Sequence, residues 1–501
     1  MKKNNKMKMN ANNVLRFVAT CLSMMMVLGG LAEETELKLI PGVPLLFADD
    51  SVLKERTGMR RIVHQGKHDA QPVITDTEPW ELGAKGFGLL NIYGSVYPKE
   101  DGSGYRMWYG SFSRVLVAES ADGVNWKKPS LNVCSIGGST SNNAVIASLS
   151  SPSILRDPFE KDPARLYKIV GCHYHKPGNP KTGYYTMTSP DGIHWSDERQ
   201  IVQGWCDTCT MSQNPFTGEY LVYHKHEVMD NGCKRRTVFL TKSKDFINWS
   251  DPVRAFGADE TDDGAWIDNP TQFTDIYTMS VVGYAGGFIG IPSFFRMERY
   301  IKDVDKSRYM SAHDGPLYLG FAVSPDGEHW GQLPGRRPIL PNNPYGVFNA
   351  CYPGCASGGP GALLHVGDET WLYTYCVAHG HGTGYPKDWS RETSSVPQWS
   401  IGRAVWRRWG FVSLEAKSGH CRTRPLRLAS DKVTVNFKRL DGGGRLKVAA
   451  FALDGQMLAM AAVNGDGTRQ RLNWSRSLPI AAPIELQFEV SNGALYSIET
   501  D

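Results

Sequence analysis

Ser120-Ala-Asp122-Gly123-Val-Asn-Trp126 returns as Ser189-Pro-Asp191-Gly192-Ile-His-Trp195, Ser243-Lys-Asp245-Phe-Ile-Asn-Trp249 and Ser324-Pro-Asp326-Gly327-Glu-His-Trp330. An Asp-Gly pair between an apolar run and a Trp predicts a tight turn between antiparallel strands. Each copy follows a strand-like run, and upstream of each lies another hairpin: 94–97 with 105–109, 153–156 with 166–170, 210–213 with 220–223, and 277–282 with 288–291. A fifth hairpin joins 362–366 to 371–375 through Gly367-Asp368-Glu369, with a third strand at 400–406. Four strands per unit and five units, irregularly spaced, predict an all-β fold, a five-bladed β-propeller. After about Phe411 the pattern changes to alternating strands, which predict a small C-terminal β-sandwich. The expected division is a signal peptide at 1–32, the propeller at 33–410 and the sandwich at 411–501.

The signal peptide rests on Lys2, Lys3, Lys6 and Lys8 before an apolar run from Val14 to Leu28, with small residues at Gly30-Leu31-Ala32. The run is short for a membrane span. The expectation is therefore a periplasmic or extracellular protein without a membrane span in its mature chain. The 55 basic and 51 acidic residues leave a net charge of +4 without a long basic run, which argues against a nucleic-acid partner. The 14 Trp and 21 Tyr supply aromatic faces that suit both a β core and sugar stacking. Cys206-Asp207-Thr208-Cys209 and Cys351 with Cys355 are close pairs, but two pairs are a weak zinc signal. Disulfides or buried thiols are the expected use, and neither a cofactor nor a metal is called for.

The repeat, the five units and the trailing module resemble the glycoside hydrolase family 32 and 43 superfamily of five-bladed propellers. The nearer likeness is to secreted bacterial proteins described as glycosyl hydrolase family 32-like, through Leu46-Phe47-Ala48-Asp49-Asp50, Pro79-Trp80-Glu81, Tyr105-Arg-Met-Trp-Tyr109 and Trp409-Gly410-Phe411. The resemblance implies action on an oligo- or polysaccharide. The sequence departs from it at the chemistry. The Asn-Asp-Pro-Asn nucleophile motif and the Glu-Cys acid motif of family 32 are absent. Arg156-Asp157-Pro158 spells the family's third motif but falls after the inner strand of its blade, so Asp157 reads as a turn residue.

Propeller geometry selects candidates without motifs, because residues before an inner strand and after the second strand meet at one mouth of the channel. Glycoside cleavage needs one carboxyl as acid and another as base or nucleophile. Asp207 is expected as base or stabiliser and Glu81 or Glu227 as acid, with Asp275 as a fourth carboxylate of the site. Asn143, His173, His175, His224, His226, Asp268, Arg296, His379 and His381 are the expected substrate contacts. Trp266, Trp389 and Trp399 are candidate stacking platforms. The competing readings are a salt bridge for Glu81, a strand cap for Asp207 and ordinary loop positions for Asp268, Asp275 and any single His. The expected function is an exported glycoside hydrolase; the alternative is a glycan-binding propeller without catalysis.

Overall fold

The computed structural model describes residues 36–83, 88–175, 178–230, 232–264, 272–301, 311–356, 363–382, 396–480 and 482–501. The signal-peptide reading falls outside them. Among the described residues no helix is long and apolar enough to cross a membrane.

Five antiparallel sheets make the blades. From inside outward, blade 2 is Ser150–Arg156, Tyr167–His173, Gly183–Ser189 and Ser196–Gln203; blade 3 is Cys209–Gln213, Tyr220–Asp230, Cys233–Ser243 and Val253–Phe256. Blade 1 is built on Tyr105–Ser111 and Arg114–Ser120, blade 4 on Thr274–Tyr284 and Gly287–Arg296, and blade 5 on Glu369–Val377 and Trp399–Arg407. The inner strand of blade 2 packs against blades 1 and 3, that of blade 3 against blade 4, and that of blade 4 against blade 5. Leu90–Asn91 of blade 1 meets blade 5 and closes the ring. The sequence-predicted propeller is the fold of the chain's main body.

The repeat is the joint between blades. In each copy the Ser hydroxyl accepts the N–H two and three residues on, and the Asp carboxylate accepts the next two N–H groups. These bonds hold Gly123, Gly192 and Gly327 at φ 75°, 74° and 79°, where glycine is unstrained. Each glycine carbonyl, buried in the joint, then accepts from the preceding blade's second strand: Gly123 from Tyr373, Gly192 from Trp108 and Gly327 from Tyr223, each at 2.7 Å. A Cβ on Gly192 would lie 2.5 Å from the Trp108 ring. Blade 3 departs from this pattern. Phe246 takes the same turn at φ 62° and sets its ring beneath the Lys168 ammonium of blade 2, 5.6 Å away.

Blade 5 takes its outer strand from the other end of the chain, with Lys67 and His68 pairing with Val405 and Ala404. The segment before it joins the C-terminal module. Leu53–Thr57 and Arg60–Val63 pair with Val412–Thr423, Leu45–Leu46 pairs with Glu485–Thr500, and Leu37–Leu39 runs parallel to Leu426–Leu428. Residues 37–63 thus find their strand ladders in the C-terminal strands, while the Pro44 carbonyl accepts the Ala285 N–H of blade 4 at 2.8 Å. The long strand Glu485–Thr500 turns at Asn492, φ 49°; its first half pairs with Arg445–Phe451 and its second with Val433–Arg439.

Candidate functional site

All five inner strands run the same way, so the channel has two distinct mouths. Asp207 stands just before the inner strand of blade 3 and Asp275 at the start of that of blade 4. Between them lies Lys225 of the second strand of blade 3. Strand alternation sends Leu221, Tyr223 and Lys225 to one face and Val222, His224 and His226 to the other. Lys225 is 1% exposed, with its ammonium 2.6 Å from Asp207 Oδ2 and 3.9 Å from the centre of the Tyr277 ring. Burial lowers its pKa, and the Asp207 carboxylate opposes that shift.

The two carboxylates have opposite surroundings. Asp207 is 41% exposed in its side chain, so it faces the mouth. Asp275 is 1% exposed; it accepts the Arg236 N–H at 3.1 Å and faces the Arg236 guanidinium at 3.4 Å. Burial pushes its pKa up to about 7 even against the pull of Arg236 and Lys225. Two carboxyl groups with distinct tasks require such a contrast.

His381 completes this corner. It is buried between the rings of Phe295 and Tyr277, at 4.6 and 5.0 Å, and its Nδ1 has no hydrogen-bond partner. Burial, then the charges of Arg236 and Lys225, hold it well below the usual imidazole pKa, so it is neutral. His379 lies half-buried beside the exposed Tyr345, with ring centres 6.3 Å apart. The Tyr93 and Tyr277 hydroxyls bond to one another below the mouth.

The other candidates divide. His224 is buried on the opposite strand face against Tyr184, where burial pushes its pKa down to about 3. His226 packs on Phe239 and faces Trp205, and Glu227 pairs with Lys234 across the hairpin. His173 turns outward within blade 2, onto the Tyr185 ring and Glu198 Oε1 at 2.7 Å, with His175 stacked beyond it. Arg296 is an exposed strand end, 3.8 Å from Glu298.

Glu81 is not brought to the mouth. It is fully buried in blade 1, where it accepts bonds from Tyr109, Lys128 and the Glu78 N–H at 2.6, 2.6 and 2.9 Å. Asn143 belongs to the same network through Tyr109 and Trp80. Ion-paired with Lys128, the carboxylate fastens the N-terminal crossing to blade 1, which is the salt-bridge reading of this residue. Trp399 is likewise a core residue. Asp268, Trp266 and Trp389 lie outside the described residues. Asp157 stands at its blade's inner hairpin, accepting from Tyr220 and from Gln213 at 2.9 Å.

Sequence reasoning missed Lys225, Arg236 and Tyr277. Two of them are charged residues inside strands, and the available signal was their place on the strand face shared with the channel.

The other mouth, where the inner hairpins turn, holds a cavity of about 670 Å³. Val43, Pro98, Pro215, Leu364 and Trp409 are among its walls, and no carboxylate lines it.

No family model and no curated protein matches the sequence. In structure the chain is similar to an N-acetylgalactosamine deacetylase from F. plautii, with 14% identity over 70% of this chain and 96% of that one and a TM-score of 0.43. It is similar also to an exo-beta-1,3-galactanase from Phanerochaete chrysosporium, at 12% identity, 88% and 99% coverage and a TM-score of 0.36. A third is a GH32 beta-fructofuranosidase from Bombyx mori, at 9% identity, 98% coverage of both chains and a TM-score of 0.34.

Proposed function

We propose that the protein is a carbohydrate-active enzyme, a glycoside hydrolase that works at the mouth formed by blades 3, 4 and 5. The observation that carries this reading is the pair of carboxylates on neighbouring blades around one buried ammonium, with Asp207 open to the mouth and Asp275 buried with its pKa near 7. Asp207 is the carboxylate that meets the sugar, as base or nucleophile. Asp275, with its pKa raised to about 7, shares its population between protonated and ionised forms at neutral pH, so an acid form is present there. Lys225 holds Asp207 in position through their ion pair, and the unpaired Nδ1 of the neutral His381 supports a contact to a sugar hydroxyl. The oligo- or polysaccharide substrate and the exported location belong to this proposal, on the strength of the sequence resemblance and the leader-like N-terminus.

One observation favours a second reading, a glycan-binding propeller without catalysis. Asp207, Glu227, Asp275 and Glu81 each have a cationic partner, as structural carboxylates do. Turnover on a panel of polysaccharides and aryl glycosides separates the two. The hydrolase reading expects activity that Asp207→Asn and Asp275→Asn each remove. Activity unchanged in both variants sinks the site, and glycan binding without turnover selects the second reading.

A further inference from the structure

Three thiols surround the backbone of Asp207, and neither proposed function uses them. Cys206 precedes it and is half-buried; Cys172, in the second strand of blade 2, is 2% exposed; Cys209 is fully buried at the start of the inner strand of blade 3. The Cys172 Sγ–H donates to the carbonyl oxygen of Asp207 at 2.9 Å, which sets this sulfur beside the residue that follows Cys206. Cys209 is turned away to the Ser151 carbonyl at 3.4 Å. No group of three or more His, Cys, Asp or Glu side chains among the described residues is arranged to hold a metal ion. All nine described cysteines are free, and here a buried thiol is bonded to the residue next to one that is partly open to solvent.

We propose that Cys206 and Cys172 are a redox couple, and that their oxidation to a disulfide ties the segment carrying Asp207 to blade 2. With a low-molecular-weight or protein disulfide as oxidant, the Cys206 thiolate attacks one oxidant sulfur. A mixed disulfide forms and one thiol leaves. Cys172 then gives up its proton, its sulfur attacks the Cys206 sulfur, and the second thiol of the oxidant departs. Two protein S–H bonds become one S–S bond, and one disulfide becomes two thiols. The second step is the slow one, because Cys172 is buried and its proton is engaged by the Asp207 carbonyl. The bond joins the second strand of blade 2 to the segment leading into blade 3, and the two outer strands of blade 2 lie between its ends, so the cross-link restricts the unfolded chain.

The inference stands whether or not the mouth cleaves glycosides, since its readouts are mass and melting. Reduced full-length protein is incubated with oxidised glutathione, free thiols are blocked with N-ethylmaleimide, and peptides are mapped without reduction. The expected result is a Cys172–Cys206 linked peptide and a Tm raised on the order of 5 °C, reversed by a phosphine reductant. The rise is absent in Cys206→Ser and kept in Cys134→Ser, which removes the other half-buried thiol. Cys172→Ala is expected to arrest at a glutathione adduct on Cys206. A Cys206–Cys209 link overturns the proposal, as does a wild-type protein that stops at the mixed disulfide or one whose Cys206 is alkylated equally before and after oxidation.

Discussion

The two mouths of the channel are made from the same five inner strands, yet they differ in kind. At one, strands end in short turns rich in glycine and proline, and the walls are mainly apolar. At the other, the second strand of blade 3 runs on to Asp230, and the segments that meet there carry carboxylates, imidazoles and buried cations. The hairpin mouth is limited to what a tight turn tolerates, whereas the strand-start mouth receives longer connections that are free to hold side chains with chemical tasks. A propeller of this kind is thus symmetric in its scaffold and polar in its use.

The sharpest way to break that contrast is Asp207→Asn. Turnover is expected to fall about 10²–10⁴-fold, as for loss of a group acting on a proton or nucleophile. Initial rates on the best substrate of the panel check it, and an unchanged rate removes the distinction between the mouths.

Asp275 offers the next largest effect. Its folded pKa is about 7, above the carboxylate value of 3.8, so the folded state binds more protons than the unfolded chain between those values. Stability therefore falls as pH rises through that window, by roughly 4 kcal/mol in all, and is fully present below it. Asp275→Asn is expected to flatten the curve of urea midpoint against pH from 4 to 8. Parallel curves for variant and wild type contradict the buried, proton-holding carboxyl.

Gly192→Ala tests the joint rather than the mouth. A methyl group at positive φ and 2.5 Å from Trp108 is expected to cost about 1–3 kcal/mol, measured by urea unfolding. The smallest effect is expected at the hairpin mouth, where Val366→Phe occupies part of the cavity and leaves turnover unchanged. A loss there like that of Asp207→Asn would place the working site at the wrong end of the channel.

The propeller was legible because its joint is local. Ser, Asp, Gly and Trp lie within seven residues, and every bond that forms the turn is between near neighbours. The outer strand Lys67–His68 was not, since its partner lies more than three hundred residues away and a two-residue strand has no periodicity to read. The same division holds at the site. Asp207, Asp275 and His381, which the proposed site uses, were chosen from their positions beside strand ends. Lys225 and Arg236 did not, because a cation within a strand normally points to solvent, and only the neighbouring blade shows that Lys225 is covered by Tyr277. Glu81 was misplaced for the reverse reason: the rule by strand order located it, but Lys128 and Tyr109 enclose it.

The pairing of Lys67 and His68 with Val405 and Ala404 also bears on how the molecule is made. A ribosome releases the closing strand of blade 5 long before the edge that it must complete. Until residues 404 and 405 emerge, Lys67 and His68 have no strand to pair with, and blades 1 to 4 can stack only as an open arc. Such a chain has its costliest contacts last, between its most distant parts, which places ring closure among the slow steps of folding. The early strands must wait exposed meanwhile, so a chain cut short before blade 5 is finished leaves two unsatisfied edges rather than a smaller stable propeller.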